Sequence, residues 1–300
     1  MPAKFYRDYS DFLSEHFGCK VQKLTVNAGF SCPNRDGTKG YGGCTYCNNQ
    51  TFNPEYCAPS LSVSDQLRRG REFFARKYPD MSYLAYFQAY TNTHSDDIER
   101  LMGLYEEALS VEGVVGLIIG TRPDCMPQTL LDRLAALPAW VMIEYGAESA
   151  CDVTLEKINR CHTWADTVDA VNRTHRAGIP CGLHLIMGLP GEDEECMLTT
   201  VGRVNELPVD TVKFHQLQLV RGTRMARDVE QGLYDIPRFT AEEYADLCVK
   251  MLARLRPDIA VERFVSQSPS DLLIYPRWGL KNYQFTNMLN NRLRELHEFK

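Results

Sequence analysis

The feature that most constrains this chain is an alternation. Apolar, β-rich runs recur at "KLTVNA" (23–28), "YLAYFQAY" (83–90), "VVGLIIG" (114–120), "WVMIEYG" (140–146), "GLHLIMG" (182–188) and "TVKFHQLQLV" (211–220). Between them lie stretches of helical spacing, among them "SVSDQLRRGREFFARKY" (62–78), "SDDIERLMGLYEEALS" (95–110) and "WADTVDAVNRTHRAG" (164–178). A period that switches repeatedly between 2 and 3.6 builds parallel strands joined by right-handed crossover helices, a sheet buried on both faces. About six such units predict an α/β fold, a partial (βα)6 TIM-like barrel; a doubly wound open sheet is the alternative that pattern alone leaves open. After residue 235 the alternation stops, leaving a helix near 240–255, a short strand near 259–265, the turn "SQSPSD" and a final helix near 283–298. We therefore expect a barrel over residues 1–235 and a C-terminal α/β extension over 236–300 that covers one edge on the substrate side.

Three hundred residues, 44% of them hydrophobic, suffice for one large core. No run of ~18 apolar residues occurs, and the opening "MPAKFYRDYSDFLSEHFG" lacks the apolar centre of a signal peptide. The chain reads as cytoplasmic, so its eleven cysteines read as thiols. Cys181, Cys196 and Cys248 fall in regular patterns where a thiol packs as a small hydrophobe. A net charge of −6 argues against indiscriminate nucleic-acid binding, yet residues 236–300 carry ten basic against eight acidic side chains.

In either geometry chemistry gathers in the loops after the strands' carboxyl ends. The stretch "CPNRDGTKGYGGCTYCNN" (32–49) follows the first strand and places Cys32, Cys44 and Cys47 around Gly37, Gly40, Gly42 and Gly43. Three chemistries compete for it. Zinc wants a fourth ligand, and Cys57 is the nearby candidate without a partner pair. A redox C-x-x-C leaves Cys32 and the glycines idle. A [4Fe–4S] cluster on three thiolates leaves one iron open to a small molecule, and the glycines favour it because they let the backbone wrap a cubic cluster closely.

The stretch "NAGFSCPNRDGTKGYGGCTYCNN" resembles the cluster loop of the Elp3-like radical S-adenosylmethionine (SAM) enzymes, in the YhcC-type subfamily. Further segments agree in order along nearly the whole chain: "FQAYTNTHS", "GTRPDC", "EYGAES", "INRCHTWADT", "HLIMGLPGE", "HQLQLVRGT" and "SPSDLLIYPRW". The resemblance implies Cys32, Cys44 and Cys47 as cluster ligands, with S-adenosyl-L-methionine as second cofactor. It implies Tyr46 beside cluster and adenine, Gln88 near the methionyl amine, Glu148 and His184 near the ribose, and Arg160 on the methionyl carboxylate, where a planar guanidinium suits a bidentate contact. The turn from Gly188 to Gly191 and the segment Gln218, Leu219, Val220 would lie along the adenine. Without the resemblance, His184 reads first as a core histidine. Arg122 and Asp124 read as a pair that fixes their loop, and Cys125 as a low-ranking catalytic candidate whose packing reading is stronger.

The chain departs from the family pattern at three places. Glu148 stands where a glutamine is common, Cys161 where a glycine is, and Ser266-Gln267-Ser268 where a turn containing Gly-Asp is. The resemblance also implies a tRNA wobble-uridine substituent as substrate and a reducing partner such as flavodoxin or ferredoxin; we expect a monomer or weak dimer with no membrane association. Residues 263–300, six basic against three acidic with Tyr275, Trp278, Tyr283 and Phe285 interspersed, have a composition that holds phosphates and stacks a flipped base. A small-molecule or tetrapyrrole substrate, and a non-catalytic zinc-stabilised RNA-binding module, are the competing readings.

Overall fold

The computed structural model describes residues 4–48, 54, 56–75 and 81–298. Seven strands form one parallel sheet: β1 (Val21–Val26), β2 (Ser82–Phe87), β3 (Val114–Thr121), β4 (Trp140–Glu148), β5 (Cys181–Met187), β6 (Thr211–Gln216) and β8 (Ala260–Arg263), neighbours in that order. A two-stranded antiparallel ribbon pairs β7 (Leu219–Val220) with β9 (Leu273–Tyr275). The six expected strands are present. The short strand expected near 259–265 joins the same sheet as a seventh, with Thr211 opposite Ala260 and Val212 opposite Val261. The curved parallel sheet is the partial barrel that the alternation predicts.

The crossovers are α2 (Val63–Ala75), α3 (Ile98–Leu109), α4 (Gln128–Ala135), the pair α5 (Asp152–Lys157) and α6 (Trp164–Arg176), and α7 (Glu194–Val204). Helix α1 (Tyr9–His16) precedes the sheet; α8 (Arg224–Glu230), α9 (Ala241–Arg254) and α10 (Asn282–Glu298) follow β6. Local chemistry sets their ends: α6 begins at a capping box between Thr163 and Asp166, and the chain turns away at Gly178, φ +73°. The helix expected over 62–78 is described through Ala75; its last three residues lie outside the described residues.

Period 2 sorts each strand. Tyr83, Ala85 and Phe87 of β2, with Leu117 and Ile119 of β3 and Val141 and Ile143 of β4, face the helices and belong to the main core. Their alternates face the barrel interior, where Leu84, Tyr86, Ile118, Met142 and Ala260 pack on Phe12 of α1, which stoppers the lower end. Above this apolar floor comes a charged layer. Lys23 of β1 and Glu262 of β8, from the two edge strands, meet at 2.6 Å, so an ion pair spans the gap the sheet leaves open.

Four aromatics of the C-terminal segment separate in the fold. Phe285 is fully buried and stacks with Trp278 at 5.9 Å; the Tyr275 hydroxyl accepts from the Phe239 amide; Tyr283 is exposed. Phe285 and Trp278 therefore serve packing, where composition alone had suggested base stacking.

Candidate active site

The loop after β1 folds on its own backbone and on the segment after α5. The Cys32 carbonyl accepts from the amides of Arg35 (2.8 Å) and Asp36 (3.1 Å), and the Cys47 amide donates to the Cys44 carbonyl at 3.1 Å. Asn159 clamps the loop from outside, its amide donating to the carbonyls of Tyr41 (2.9 Å) and Gly43 (2.8 Å), while Asn34 donates back to the Asn159 carbonyl at 2.9 Å. Gly43 has φ +71°, and a Cβ there would meet Arg35 Nε at 2.7 Å, so the turn admits only glycine without rearrangement.

The three thiols line one cavity, open to solvent, which lies over the charged layer. Each of two has hydrogen-bond donors on its sulfur: Cys32 Sγ accepts from Thr91 Oγ1 at 3.1 Å, and Cys44 Sγ from Asn34 Nδ2 at 3.3 Å and Arg160 Nη1 at 3.4 Å. Burial pushes the Cys44 thiol up, but the charge and hydrogen bond of Arg160, the Asn34 amide and the charge of Arg122 outweigh it and bring the group below the ordinary thiol range. Burial and the neighbouring Cys44 charge push Cys47 up to about 12, and burial raises Cys32 despite the Thr91 bond. Among the described residues no three His, Cys, Asp or Glu side chains gather as ligands of a single ion. A cubane takes each thiolate on a different iron, so a spread trio around a glycine-lined hollow with donors on its sulfurs suits a cluster.

Arg160 and Arg122 flank the thiols. The buried Arg160 donates through Nη2 to the Gly146 carbonyl at 2.6 Å and lies 3.4 Å from Glu148 Oε1. Glu148 reaches it because β4 bulges between Gly146 and Glu148, with Glu148 itself at φ +67°. Gly146 makes room for the pair, since a Cβ there would stand 2.6 Å from Arg160 Nη2 and 2.7 Å from Glu148 Oε1. Arg122, 2% exposed, grips Asp124 with two bonds of 2.9 Å, the pairing the sequence suggested. Burial opposes ionisation of Asp124, but Arg122 and Lys39 hold its carboxyl well below the usual range. Lys39 belongs to the cysteine loop, so this triad ties that loop to the one after β3.

Of the remaining candidates, Tyr46, Gln88, His184 and Gln218 line the same cavity with Glu148 and Arg160. Gln218 Nε2 donates to the Ser266 carbonyl at 3.0 Å, and His184 Nε2 lies 2.8 Å from Glu144 Oε2. Three candidates stand away from the cavity wall. Leu219 is buried in a small core with Leu155, Ile158, Ile186, Leu189, Leu217, Met225 and Ile236, against which Tyr46 packs. Gly188, φ +92°, turns against Phe239 and Leu217. Cys125 sits in a 3-10 turn with Sγ 3.7 Å from Asp124 Oδ1, where burial and that carboxylate push its thiol up to about 12. Cys161, φ +57°, packs on Gly40 outside the cavity, and Cys57 Sγ contacts Gln66 Oε1 at 3.1 Å.

The sequence reading missed the charged layer. Glu144 receives Lys23 (2.7 Å), Lys213 (2.8 Å) and His184 (2.8 Å); Glu262 receives Lys23 (2.6 Å) and Lys213 (3.0 Å). The signal was available: Glu144 and Lys213 are charges inside apolar strands, on the same phase as His184.

The matches to family models complete the identification. Residues 32–204 match the radical SAM superfamily and residues 209–295 the radical SAM C-terminal domain. The chain belongs to the radical SAM superfamily and is an enzyme of the Elp3-like group, whose cofactors are a [4Fe–4S] cluster and S-adenosylmethionine. It is similar to the uncharacterised protein YtqA of Bacillus subtilis (35% identical over 292 residues, 97% of this chain and 90% of that protein) and to YhcC of Escherichia coli (38% over 269 residues, 89% and 85%). Its fold matches the solved Elp3 of Methanocaldococcus infernus with TM-score 0.70 at 15% identity, over 93% of this chain and 64% of that one. Among the described residues no helix is long and apolar enough to cross a membrane.

Proposed function

We propose that this chain modifies the C5 substituent of a wobble uridine in tRNA, with Cys32, Cys44 and Cys47 holding the cluster. The observation that carries the reading is the single cavity in which three thiols, a buried arginine on one of their sulfurs and a polar far wall face one another. When bound at Cys32, Cys44 and Cys47, the cluster with SAM would supply one-electron reductive chemistry for hydrogen abstraction from the substrate.

The chain's own residues bind, orient and exclude water. Arg160 would hold the methionyl carboxylate, with Glu148 3.4 Å from the same guanidinium. Glu148 and His184 address the ribose, Gln88 the methionyl amine, and Tyr46 the adenine with Gln218. The turn at Gly188 and Leu219 shapes that wall from behind. Asn34 and Thr91 donate to thiolate sulfurs and steady their negative charge. A one-electron donor such as flavodoxin or ferredoxin supplies the reducing equivalent, and the protein acts as a monomer or weak dimer, the barrel of 1–235 reacting and 236–300 covering the substrate.

The tRNA assignment draws on partial similarity to the tRNA uridine(34) acetyltransferase of Methanocaldococcus jannaschii, 29% identical over 123 residues, 40% of this chain and 23% of that protein. Mass spectrometry of tRNA nucleosides from cells lacking the protein tests it. A wobble uridine should accumulate with an unprocessed substituent and return to normal on complementation. An unchanged nucleoside profile would remove the tRNA reading.

A further inference from the structure

The charged layer of the barrel holds more positive than negative charge. Lys23, Lys213 and Arg263 stand there against Glu144 and Glu262, three cations to two carboxylates. Both carboxylates are taken by the lysines, and among the described residues Arg263 has no ion-pair partner. Strand alternation would turn Arg263 outward if Glu262 faces in. The register shift on β8, where Val212 pairs with Val261 but Lys213 with Arg263, inserts one residue and brings both inside. The guanidinium thereby lines the active-site cavity together with His215 and Ser266.

Hydrogen-bond directions make this corner a set of donors. Arg263 Nη2 lies 3.4 Å from His215 Nδ1, and the Ser266 hydroxyl bonds the same nitrogen. A guanidinium only donates, so we assign His215 the tautomer in which Nδ1 accepts from Arg263 and the ring proton sits on Nε2. Burial, with Arg263, His184 and Lys213 nearby, holds His215 well below the ordinary histidine range and keeps it neutral. Among the described residues His215 Nε2 and Arg263 Nε, both buried, then have no acceptor. Unmet buried donors beside an unpaired cation are costly, and one anion with two oxygens relieves both. The wall is braced for it: Gln216 and Gln218 each donate to the Ser266 carbonyl at 3.0 Å, and Ser268 Oγ donates to Gln218 Oε1 at 2.6 Å.

We propose that Arg263 and His215, with Ser266 orienting the imidazole, form a subsite for a negatively charged group of the substrate, a carboxylate or a phosphate. This deepens the tRNA reading and rests on it for the source of the anion, either an acidic group on the base substituent or a backbone phosphate. Arg160 and Arg122 are the cations beside the cysteines; Arg263 is reserved for the substrate.

The test uses anaerobically prepared holoenzyme, as wild type, R263Q and R263K. Crystals with SAM soaked in sodium formate should show formate bridging Arg263 and His215 in wild type and none in R263Q; a wild-type corner without formate overturns the subsite. SAM affinity should stay within about twofold in R263Q, because loss of one charge-assisted bond would cost roughly tenfold or more. A tenfold loss of SAM affinity would give the anion to SAM and overturn the proposal. Affinity for tRNA from cells lacking the protein should fall roughly ten- to a hundredfold in R263Q and partly return in R263K. A loss confined to that tRNA, and absent with tRNA from normal cells, places the anion on the substituent. An equal loss with both, and a salt slope shallower by about one, places it on a phosphate. Unchanged binding to both refutes the subsite. If wild type binds neither tRNA, the tRNA reading falls and the formate result alone decides the subsite.

Discussion

Replacing Glu144 by Gln removes one of two carboxylates from a layer in which each neutralises two lysines. Glu144 is 2% exposed and has Lys23, Lys213 and His184 within 2.8 Å. In E144Q, Lys23 and Lys213 share Glu262 alone, so one buried cation loses its counter-charge with Arg263 already close by. Breaking a buried pair from one side costs about 3–5 kcal/mol. For a chain of 300 residues, whose unfolding entropy is about 0.6 kcal/mol/K, that corresponds to a fall in melting temperature of roughly 5–8 °C. Thermal unfolding followed by circular dichroism at neutral pH, on wild type and variant with equal iron content, measures it. The double variant E144Q/K213M restores the balance of Lys23 against Glu262 and should recover a large part of the loss, a coupling that independent sites would not show. The pH dependence has a definite sign. Although burial opposes the charge, Lys213 and Lys23 depress the Glu144 carboxyl well below its ordinary value. Its stabilisation is therefore present above the unfolded carboxyl range, near pH 4.3, and is lost as pH falls below that toward its folded value. E144Q should show a flatter acid limb. Equal melting of E144Q and wild type, or strict additivity with K213M, would refute the account of the charged layer.

Replacing Cys32, Cys44 or Cys47 singly by Ala should abolish the brown chromophore and SAM cleavage, whereas Cys57→Ala, remote from the cavity wall, should leave iron content unchanged; iron analysis and absorbance spectra decide both. Gly146→Ala drives a methyl group into the Arg160 and Glu148 contacts at 2.6 and 2.7 Å, and should weaken SAM binding at least tenfold in equilibrium dialysis while cluster content is retained.

The strands and most helices were legible because their signals are local. Period 2 in "WVMIEYG" and helical spacing in 164–178 lie within a single element, and three cysteines with glycines between them are written in eighteen consecutive residues. The seventh strand was harder, since "AVER" (260–263) is four residues long and acquires its place by pairing with β6. The stacking role suggested for Trp278 and Phe285 failed for a related reason: composition counts aromatic rings without saying which face meets the core.

What the sequence by itself determined is the alternation that curls into a parallel barrel and the spacing of thiols on its rim, because both depend on neighbours along the chain. Tertiary structure decided the charged layer and the site's far wall. Lys23 and Glu262 meet across 239 residues of sequence. Bulges on β4 and β8 change which way Glu148 and Arg263 point. A side chain's inward or outward sense depends on register with the next strand, and register exists only once the sheet has formed.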